Sequence, residues 1–288
     1  MKLALATLTP EVKTAVPVAL LSGTFAERLE KAARLGYDGL ELMVLRPDQL
    51  DVDDTRTQLS KWGLGVAAIA SGAMYAVDKL TLLASDEEIS RQAVARLHAL
   101  IAFAAALESP HPSGTPHPSG TPLVTIGSFR GRLAWAGGAG ARGKLVAILR
   151  EAVEKAAQRG VRLVLEPLNR YETDILHNAE DTMSLIDEVG HSHLGMLLDT
   201  FHMNIEEASF GDCLRQAMAT GRLWHVHIAD SNRLPPGQGH IDFPGVVAVL
   251  DETGYQGYLS AELFPRPDPD AAAAATISHM RQFVVSSR

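Results

Sequence analysis

The sequence predicts an α/β protein in which a single domain folds as a (β/α)8 barrel, also called a TIM barrel. Eight strand-like runs alternate with helix-like stretches along 288 residues, within the ~200 to 400 residues of single-domain barrels. The alternation continues without a change in composition, which favours one parallel sheet. In addition, four successive runs end in carboxylate or imidazole side chains, and the carboxyl ends of barrel strands meet at one mouth.

The predicted strands are short apolar runs bounded by turn residues. They are Leu3–Leu8, Gly39–Leu45, Leu64–Ala70, Leu123–Gly127, Val161–Glu166, Leu194–Asp199, Leu223–Ile228 and Gly257–Glu262. Apolar residues recur near the helical period in the stretches between them, at Phe25–Leu35, Ile89–Leu107, Lys144–Gln158, Ala179–Val189 and Pro244–Thr253. Glycines that suit C-terminal helix caps follow four helical stretches, at Gly36, Gly160, Gly190 and Gly254.

The composition is that of a globular protein, with 46% apolar and 21% charged residues, and no run approaches the ~18 apolar residues of a membrane span. The formal net charge of −8 disfavours nucleic acid as a partner, because such binding depends on Lys and Arg at the phosphates. We therefore expect a small-molecule partner, no nucleic acid and no membrane. The sequence does not define an oligomeric state, and a homo-oligomer is compatible with it.

The first residues and the single cysteine bear on the cellular compartment. The opening M-K-L-A-L-A-T-L-T-P begins like a signal peptide but continues directly into Glu11 and Lys13, so we interpret it as the first strand. Cys213 has no partner for an intramolecular disulfide, which fits a reducing cytoplasm. We expect a cytoplasmic protein in which Cys213 packs within a helix.

A Pro/Gly-rich loop insertion is predicted at 109–122 within the single domain 1–288. It contains the hexapeptide H-P-S-G-T-P twice in tandem, and Pro and Gly at this density disfavour helix and strand. The insertion precedes the fourth strand, which places it at the bottom of the barrel, away from the mouth. We therefore disfavour metal binding by His111 and His117.

Glu166, Asp199, His227 and Glu262 close four successive strands and are separated by 33, 28 and 35 residues. Each interval is close to one strand-plus-helix unit of roughly 30 residues or more, so each unit would contribute one side chain to the mouth. Three carboxylates and one imidazole suit a divalent cation such as Mn²⁺, Mg²⁺ or Co²⁺. The sequence therefore predicts one metal centre.

Three longer motifs surround these residues: L-E-P-L-N-R-Y-E (Leu165–Glu172), L-D-T-F-H-M-N-I-E-E (Leu198–Glu207) and H-I-A-D-S-N-R-L-P-P-G-Q-G (His227–Gly239). With them the chain resembles the xylose-isomerase-like barrel superfamily of sugar phosphate isomerases and epimerases, and within it the D-tagatose/D-psicose 3-epimerases. The resemblance extends from about Val161 to Pro265, whereas before Val161 only the rhythm of strands and helices is shared.

The resemblance implies that Glu166, Asp199, His227 and Glu262 bind the metal, with Mn²⁺ the first expectation and Mg²⁺, Co²⁺ or Zn²⁺ as alternatives. It also implies that Glu166 and Glu262 are the catalytic acid/base pair. The chemistry agrees, because inverting carbon 3 of a ketose removes a proton from one face and returns one to the other. A metal stabilises the negative charge of the enediolate as a Lewis acid.

The same resemblance implies that Glu172, His202 and Arg233 bind the substrate. His225, two residues before His227 on one strand, points to the same side, and we predict a supporting or core histidine rather than a fifth ligand. Glu41 is predicted to end the second strand, either positioning substrate or carrying a solvated charge.

The exit of the fourth strand, T-I-G-S-F-R-G-R, departs from the pattern of the free-sugar epimerases. Arg130 and Arg132 are expected to put positive charge near the mouth, where they would hold a phosphate or carboxylate. Trp135 in the same loop is a candidate wall of the pocket, and Trp62 and Trp224 are expected in the core. The sequence leaves open whether the substrate is neutral or anionic.

The hypothesis that these observations favour is a metal-dependent sugar isomerase-class enzyme that epimerises a ketose, or ketose phosphate, at carbon 3. An aldose–ketose isomerase of the hydroxypyruvate isomerase type is the near alternative, since the proton moves between adjacent carbons with the same groups. A metal-dependent endonuclease of the kind that acts at abasic sites shares the barrel, but the acidic net charge disfavours it. A non-catalytic sugar-binding barrel would not explain two glutamates at one metal.

Overall fold

Eight parallel strands close into a barrel in the computed structural model of the protein, which describes residues 1–108, 122–138 and 140–284. Each strand pairs with its neighbours in sequence order, and the first pairs with the eighth to close the ring. The strands are β1 (Lys2–Leu8), β2 (Gly39–Met43), β3 (Gly65–Ala70), β4 (Leu123–Ile126), β5 (Arg162–Leu165), β6 (Leu194–Asp199), β7 (Leu223–Ile228) and β8 (Tyr258–Ala261).

The α-helices of the described residues connect the strands and cover the outside of the barrel. They are α1 (Phe25–Leu35), α2 (Val52–Lys61), α3 (Gly72–Ala76), α4 (Glu87–Glu108), α5 (Ala141–Ala157), α6 (Ala179–Val189), α7 (Thr200–Glu206), α8 (Phe210–Ala219), α9 (Phe243–Glu252) and α10 (Pro269–Met280). The short helices α3 and α7 follow directly on β3 and β6 at the mouth, because each begins within two residues of its strand.

The predicted fold is confirmed: the protein is one domain with a closed (β/α)8 barrel. All eight predicted strands are present, with ends that differ by at most two residues. Glu166 and Glu262 lie one residue beyond their strands rather than inside them. At Glu166 the reason is local, because the following Pro167 has no N–H to continue the ladder.

The predicted insertion at 109–122, with His111 and His117, falls almost entirely outside the residues that the structure describes. Helix α4 and strand β4 lie on either side of it. Within the described ranges, none of the helices has the combination of length and apolar character that crossing a membrane requires.

Local chemistry accounts for where the helices begin and end. Helix α1 starts with a capping box, in which the Thr24 hydroxyl accepts from the N–H of Glu27 and the Glu27 carboxylate accepts from the N–H of Thr24. All four predicted capping glycines, Gly36, Gly160, Gly190 and Gly254, have left-handed backbone with φ between 69° and 91°. Cys213 is buried in helix α8, as expected.

The strand register brings the predicted metal ligands to one level of the barrel. Asp199 on β6 lies directly beside His227 on β7. Glu166 follows Leu165 of β5, and Glu262 follows Ala261 of β8. The four side chains therefore leave four neighbouring strands at the carboxyl end of the sheet.

Candidate metal centre and substrate cavity

The structure brings together the four side chains that the sequence predicts as metal ligands. One ligand atom from each of Glu166, Asp199, His227 and Glu262 lies within 4.8 Å of the others. Asp199 and His227 are at most 1% exposed, and Glu166 is 6% exposed. Such a compact group of carboxylates and an imidazole meets the steric requirement for a single shared cation.

The orientation of each side chain leaves one ligand atom facing the shared centre. Asp199 caps helix α7 with Oδ1, which accepts from the N–H of Phe201 at 2.8 Å. Its Oδ2, Glu166 Oε1 and His227 Nδ1 are buried without a hydrogen-bond partner in the described chain. His227 Nδ1 lies 3.4 Å from Glu166 Oε1 and 3.8 Å from Glu262 Oε2.

Buried polar atoms in folded proteins are nearly always satisfied, so unpaired atoms that converge on one point indicate a missing partner. A divalent cation accepts electron pairs from oxygen and nitrogen atoms alike and can satisfy all of these atoms at once. Three oxygen donors and one nitrogen donor fit Mn²⁺, Mg²⁺, Co²⁺ or Zn²⁺. The residues present therefore fit the divalent cation that the sequence predicts.

Glu41 lies beneath this centre, where both sequence expectations for it prove wrong. It is the third residue of β2 rather than its end, and it is completely buried. Its Oε2 lies 2.9 Å from Nε2 of His225 and 2.9 Å from Nε2 of His227. Glu41 is thus neither a solvated charge nor a cavity residue, because its carboxylate holds two histidines.

The contact with Glu41 explains which nitrogen of His227 faces the ligands. Because Nε2 hydrogen-bonds to the carboxylate, Nδ1 is directed to Glu166 and Glu262. A carboxylate that accepts from the second nitrogen of a metal-binding histidine fixes its tautomer and its ring orientation. His225 shares the same carboxylate from below, consistent with the supporting role predicted for it.

The crowded negative charge changes the ionisation of the cluster. Burial raises the pKa of Asp199 to about 7 and also raises the pKa of Glu262. Burial acts in the same direction on Glu166, but its contact with His227 and the charge of Arg233 bring its pKa below the usual value. Despite its burial, His227 has a raised pKa because the surrounding carboxylates stabilise its charged form.

Arg233 links the ligand cluster to the cavity. Its Nη2 donates to Glu262 Oε2 at 2.8 Å, and its Nη1 lies 3.3 Å from Oε1 of Glu172. The backbone at Arg233 is left-handed, with φ 60°, and its guanidinium lies 4.9 Å from the centre of the Phe201 ring. Two of the three predicted substrate-binding residues are therefore in mutual contact beside a predicted catalytic carboxylate.

His202 is the third predicted substrate-binding residue and lies on α7, buried against the centre. Its Nε2 is 3.8 Å from Asp199 Oδ2 and 4.0 Å from Glu166 Oε1. Burial lowers the pKa of His202 to about 3, so the ring is neutral. Its Nδ1 lies 3.3 Å from the N–H of Asn169 and accepts from it, which leaves the proton on Nε2. His202 thus presents a donor to the centre.

Asn169 is a site residue that the sequence analysis does not single out, although it lies inside the L-E-P-L-N-R-Y-E motif. Its amide nitrogen lies 2.8 Å from His202 Nδ1 and donates to Glu172 Oε1 at 2.9 Å. It is 1% exposed. Asn169 therefore connects two of the predicted substrate-binding side chains, and only its membership of the motif signalled this in the sequence.

The expectation that Arg130 holds an anion at the mouth is wrong. Its side chain is completely buried, and its guanidinium donates to main-chain carbonyls, including that of Glu166 at 2.7 Å. Burial lowers the pKa of Arg130 to about 10. Arg132 lies at the surface instead, where it donates to the carbonyl of Glu172 at 2.8 Å and lies 5.6 Å from the Trp135 ring.

A cavity of about 310 Å³ lies above the centre. All of its charged lining residues come from the later part of the chain, at Glu166, Glu172, Arg233 and Glu262. Most of its apolar lining residues come from the first third of the chain, among them Val16, Pro17, Val18, Met43 and Ala76. Trp135 does not line this cavity, contrary to the prediction: it is an exposed side chain whose ring centre lies 6.0 Å from that of Tyr75, which does line it.

A closed eight-stranded barrel with such side chains and a cavity at the carboxyl ends of its strands defines a (β/α)8-barrel enzyme, since that face carries the active site in this fold. The family model described as xylose isomerase-like TIM barrel matches residues 29–283. An L-ribulose 3-epimerase of Methylomonas sp. (strain DH-1) is 31% identical over 252 residues, which are 85% of this chain and 80% of the relative.

An L-ribulose 3-epimerase of Mesorhizobium japonicum is 30% identical over 236 residues, which are 82% of this chain and 74% of the relative. A solved structure of an L-ribulose 3-epimerase superimposes with a TM-score of 0.77 at 26% identity, covering 98% of this chain and 93% of the other. The protein therefore belongs to the xylose isomerase-like TIM barrel family, in the group of the ketose 3-epimerases. Like these relatives, it is an enzyme of the isomerase class.

Proposed function

We propose that the protein is a metal-dependent sugar epimerase that inverts carbon 3 of a neutral ketose. One observation carries the proposal: of the four clustered side chains, Glu166 and Glu262 line the cavity, and they follow β5 and β8, the outer two of the four neighbouring strands that bring the cluster together. Two carboxyl groups that reach one bound substrate are what inversion at a carbon requires, because one proton leaves and another arrives on the opposite face.

In this proposal Glu166, Asp199, His227 and Glu262 hold the cation, with Mn²⁺ the first expectation and Mg²⁺, Co²⁺ or Zn²⁺ as alternatives. When bound, the cation supplies Lewis acidity that stabilises negative charge on the carbonyl and neighbouring hydroxyl oxygens of the sugar. The converging unpaired atoms of the cluster support this assignment.

The proton transfers are assigned to Glu166 and Glu262. One carboxylate takes the proton from carbon 3, and the electron pair of the broken C–H bond forms the double bond of the enediolate. The other carboxyl group then donates a proton to the opposite face of the same carbon. In the metal-free protein burial raises the pKa of Glu262, whereas the contact with His227 lowers that of Glu166 against its burial, so the two carboxyl groups differ in proton affinity, as an acid/base pair requires.

Glu172, His202 and Arg233 are proposed to bind the substrate. His202 offers a neutral N–H donor beside the centre, and Arg233 and Glu172 offer a cation and an acceptor in contact with each other. A sugar has adjacent hydroxyl groups that both donate and accept, so this set suits the end of the molecule that carries the carbonyl and its neighbouring hydroxyl.

The charge of the cavity supports a neutral substrate. Of the described residues that line it, Arg233 is the only cationic one, and it is paired with Glu262 and Glu172. Arg130, which the sequence suggested for a phosphate, is committed to main-chain carbonyls. A phosphorylated ketose would enter a site with three carboxylates and no unpaired guanidinium along the described wall.

The proposal is tested by following the reaction of the Mn²⁺-loaded protein by NMR with a panel of ketoses and ketose phosphates in D₂O. We expect a neutral ketose to give its carbon 3 epimer, with deuterium at carbon 3 of the product. Deuterium at carbon 2, the original carbonyl carbon, with carbon 3 untouched and an aldose as product, would instead identify an aldose–ketose isomerase. Preference for the phosphorylated sugars would contradict the neutral substrate.

A further inference from the structure

The turn that follows β4 is built into the barrel more firmly than a surface loop. Gly127 leads into a short 3-10 turn at Ser128–Arg130. The carbonyls of Phe129 and Arg130 accept from the N–H groups of Leu82 and Leu83, each at 3.0 Å. Phe129 and Arg130 are both completely buried. The turn is therefore fixed from its outer side by the residues that precede α4.

The guanidinium of Arg130 binds the main chain at several points. Its Nη1 donates to the carbonyl of Gly127 at 3.0 Å and to that of Glu166 at 2.7 Å. Its Nη2 donates to the carbonyl of Ile175 at 3.0 Å and lies 3.5 Å from that of Leu176. Burying a charged guanidinium without a carboxylate partner costs free energy, and the hydrogen bonds to these carbonyls offset that cost.

Arg130 and β4 together hold the main chain of Glu166 from both sides. The N–H of Glu166 donates to the carbonyl of Ile126 at 3.2 Å, and its own carbonyl accepts from Arg130. The next residue, Pro167, has no N–H and cannot continue the strand ladder. Without the guanidinium, the carbonyl of Glu166 would lose this hydrogen-bond donor at the point where the strand ends.

Gly127 acts on the side chain of the same residue. A methyl group added at Gly127 would lie 2.3 Å from Oε2 of Glu166, closer than nonbonded atoms approach. The carboxylate of Glu166 therefore occupies space that only glycine leaves open at this position. Any larger residue would displace the carboxylate from its place beside His227.

The same guanidinium also fixes the far end of the loop that carries Asn169 and Glu172. Leu176 has a left-handed backbone, with φ 59°, a strained conformation that a non-glycine residue keeps only where its surroundings enforce it. Its carbonyl accepts from the N–H of Leu168 at 3.0 Å, and the carbonyl of Ile175 accepts from Arg130. One side chain thus ties both ends of this loop to the turn after β4.

We propose that Gly127 and Arg130 are positioning residues for Glu166, with Arg130 holding its main chain and Gly127 leaving room for its carboxylate. The inference rests on the proposed function, because it assigns Glu166 to the metal centre. The proposal also accounts for the presence of Arg130 in the segment after β4, which departs from the pattern of the free-sugar epimerases. Arg130 holds Glu166, a proposed metal ligand, in place and does not bind substrate.

The test measures the dissociation constant for Mn²⁺ by calorimetry in two variants, each with a matched control. Arg130→Met removes the guanidinium, and Arg56→Met removes another buried guanidinium that bonds main-chain carbonyls, at the contact of α2 with α4. Gly127→Ala adds a methyl against Glu166. Gly72→Ala adds one to the same cavity, where its nearest neighbour is the methyl of Met43 at 3.8 Å.

We expect both Arg130→Met and Gly127→Ala to weaken Mn²⁺ binding about 10- to 100-fold, as changes in residues that orient metal ligands do. Arg56→Met and Gly72→Ala should leave the dissociation constant unchanged. Arg130→Lys, which keeps the charge but offers fewer donors, should restore part of the affinity. If Arg130→Met does not fold, Gly127→Ala still measures the displacement of the carboxylate.

Results that contradict the inference are distinguishable from results that contradict the proposed function. Wild-type affinity in both Arg130→Met and Gly127→Ala, or an equal loss in the matched controls, would show that the turn does not position Glu166, and the proposed function would stand. A wild-type protein that does not bind Mn²⁺ or a related divalent cation would remove the metal centre, and with it the proposed function. None of these measurements requires the natural sugar.

Discussion

The carboxylate of Glu41 and the imidazole of His227 share a hydrogen bond of 2.9 Å, although 186 residues separate them in the chain. The bond crosses the interior of the barrel from β2 to β7. It leaves Nδ1 of His227 to face Glu166 and Glu262. The orientation of one proposed ligand therefore depends on a residue in the opposite half of the sheet.

Replacing Glu41 by Gln is expected to weaken Mn²⁺ binding about 10- to 100-fold, because the neutral amide stabilises the donor nitrogen of His227 less well. Calorimetric titration of the metal-free protein measures the effect. Glu11→Gln is a suitable control, since Glu11 accepts from the main chain at Leu45 and from Thr9 without touching a histidine. Unchanged affinity in Glu41→Gln would show that the hydrogen bond does not tune the ligand.

Metal binding is expected to strengthen as the pH rises from about 6 to 8 and to release protons. Burial raises the pKa of Asp199 to about 7, so this carboxyl group holds a proton in part of the metal-free protein near neutral pH, and the pKa values of Glu262 and His227 are raised as well. A cation must displace the bound protons. Titrations in buffers of different ionisation enthalpy count the protons, and a pH-independent affinity would contradict the prediction.

Asn169→Ala should raise the KM for the sugar and leave Mn²⁺ affinity nearly unchanged. The amide of Asn169 holds Glu172 and His202, which are proposed to bind the substrate and are not among the four proposed metal ligands. Steady-state kinetics and calorimetry separate the two effects. Asn178→Ala, which removes the cap of α6 and is expected to cost about 1 kcal/mol of stability, controls for a general loss of folding.

Asp230→Asn should lower the free energy of unfolding by at least about 2 kcal/mol, because a buried carboxylate that accepts several main-chain N–H bonds is replaced by an amide. The carboxylate accepts from Ser231, Gly237 and Ile241 and is completely buried. Urea unfolding at pH 7 measures the change. Equal stability of the two proteins would show that other contacts hold this loop.

The contribution of the Asp230 carboxylate to the free energy of unfolding should decrease as the pH falls. Burial opposes ionisation of Asp230, but its main-chain hydrogen bonds bring its pKa below the ordinary value. A group with a depressed pKa in the folded state stabilises the protein above the pKa of the unfolded chain, ~3.9, and this is lost as the pH falls through the folded value. The difference between wild type and Asp230→Asn should therefore narrow in acid.

The positions of the four proposed ligands could be predicted from the sequence because a strand-end residue is a local property. Periodicity located the strands, and the fold brings their ends together, so Glu166, Asp199, His227 and Glu262 needed no knowledge of side-chain contacts. The confirmed barrel and the cluster within 4.8 Å follow from the same regularity.

Glu41 and Arg130 could not be assigned in this way. Glu41 is a charged residue within a strand and Arg130 follows one, and the sequence does not show whether such a side chain points to solvent or into the protein. Their partners lie far away in the chain, at His227 for Glu41 and at Glu166 and Ile175 for Arg130. Direction and burial depend on packing across the barrel, which local periodicity does not encode.

Most of the apolar lining of the cavity and all of its charged lining come from separate stretches of the chain. Apart from Leu168 and Phe264, the apolar lining residues lie between 16 and 76, whereas the charged ones, Glu166, Glu172, Arg233 and Glu262, lie between 166 and 262. Under the proposed function, one segment of the chain supplies the proton-transfer groups and another supplies most of the apolar surface that faces the sugar. Substitutions between residues 16 and 76 would then change the range of sugars that the enzyme accepts while the proton-transfer groups stay in place.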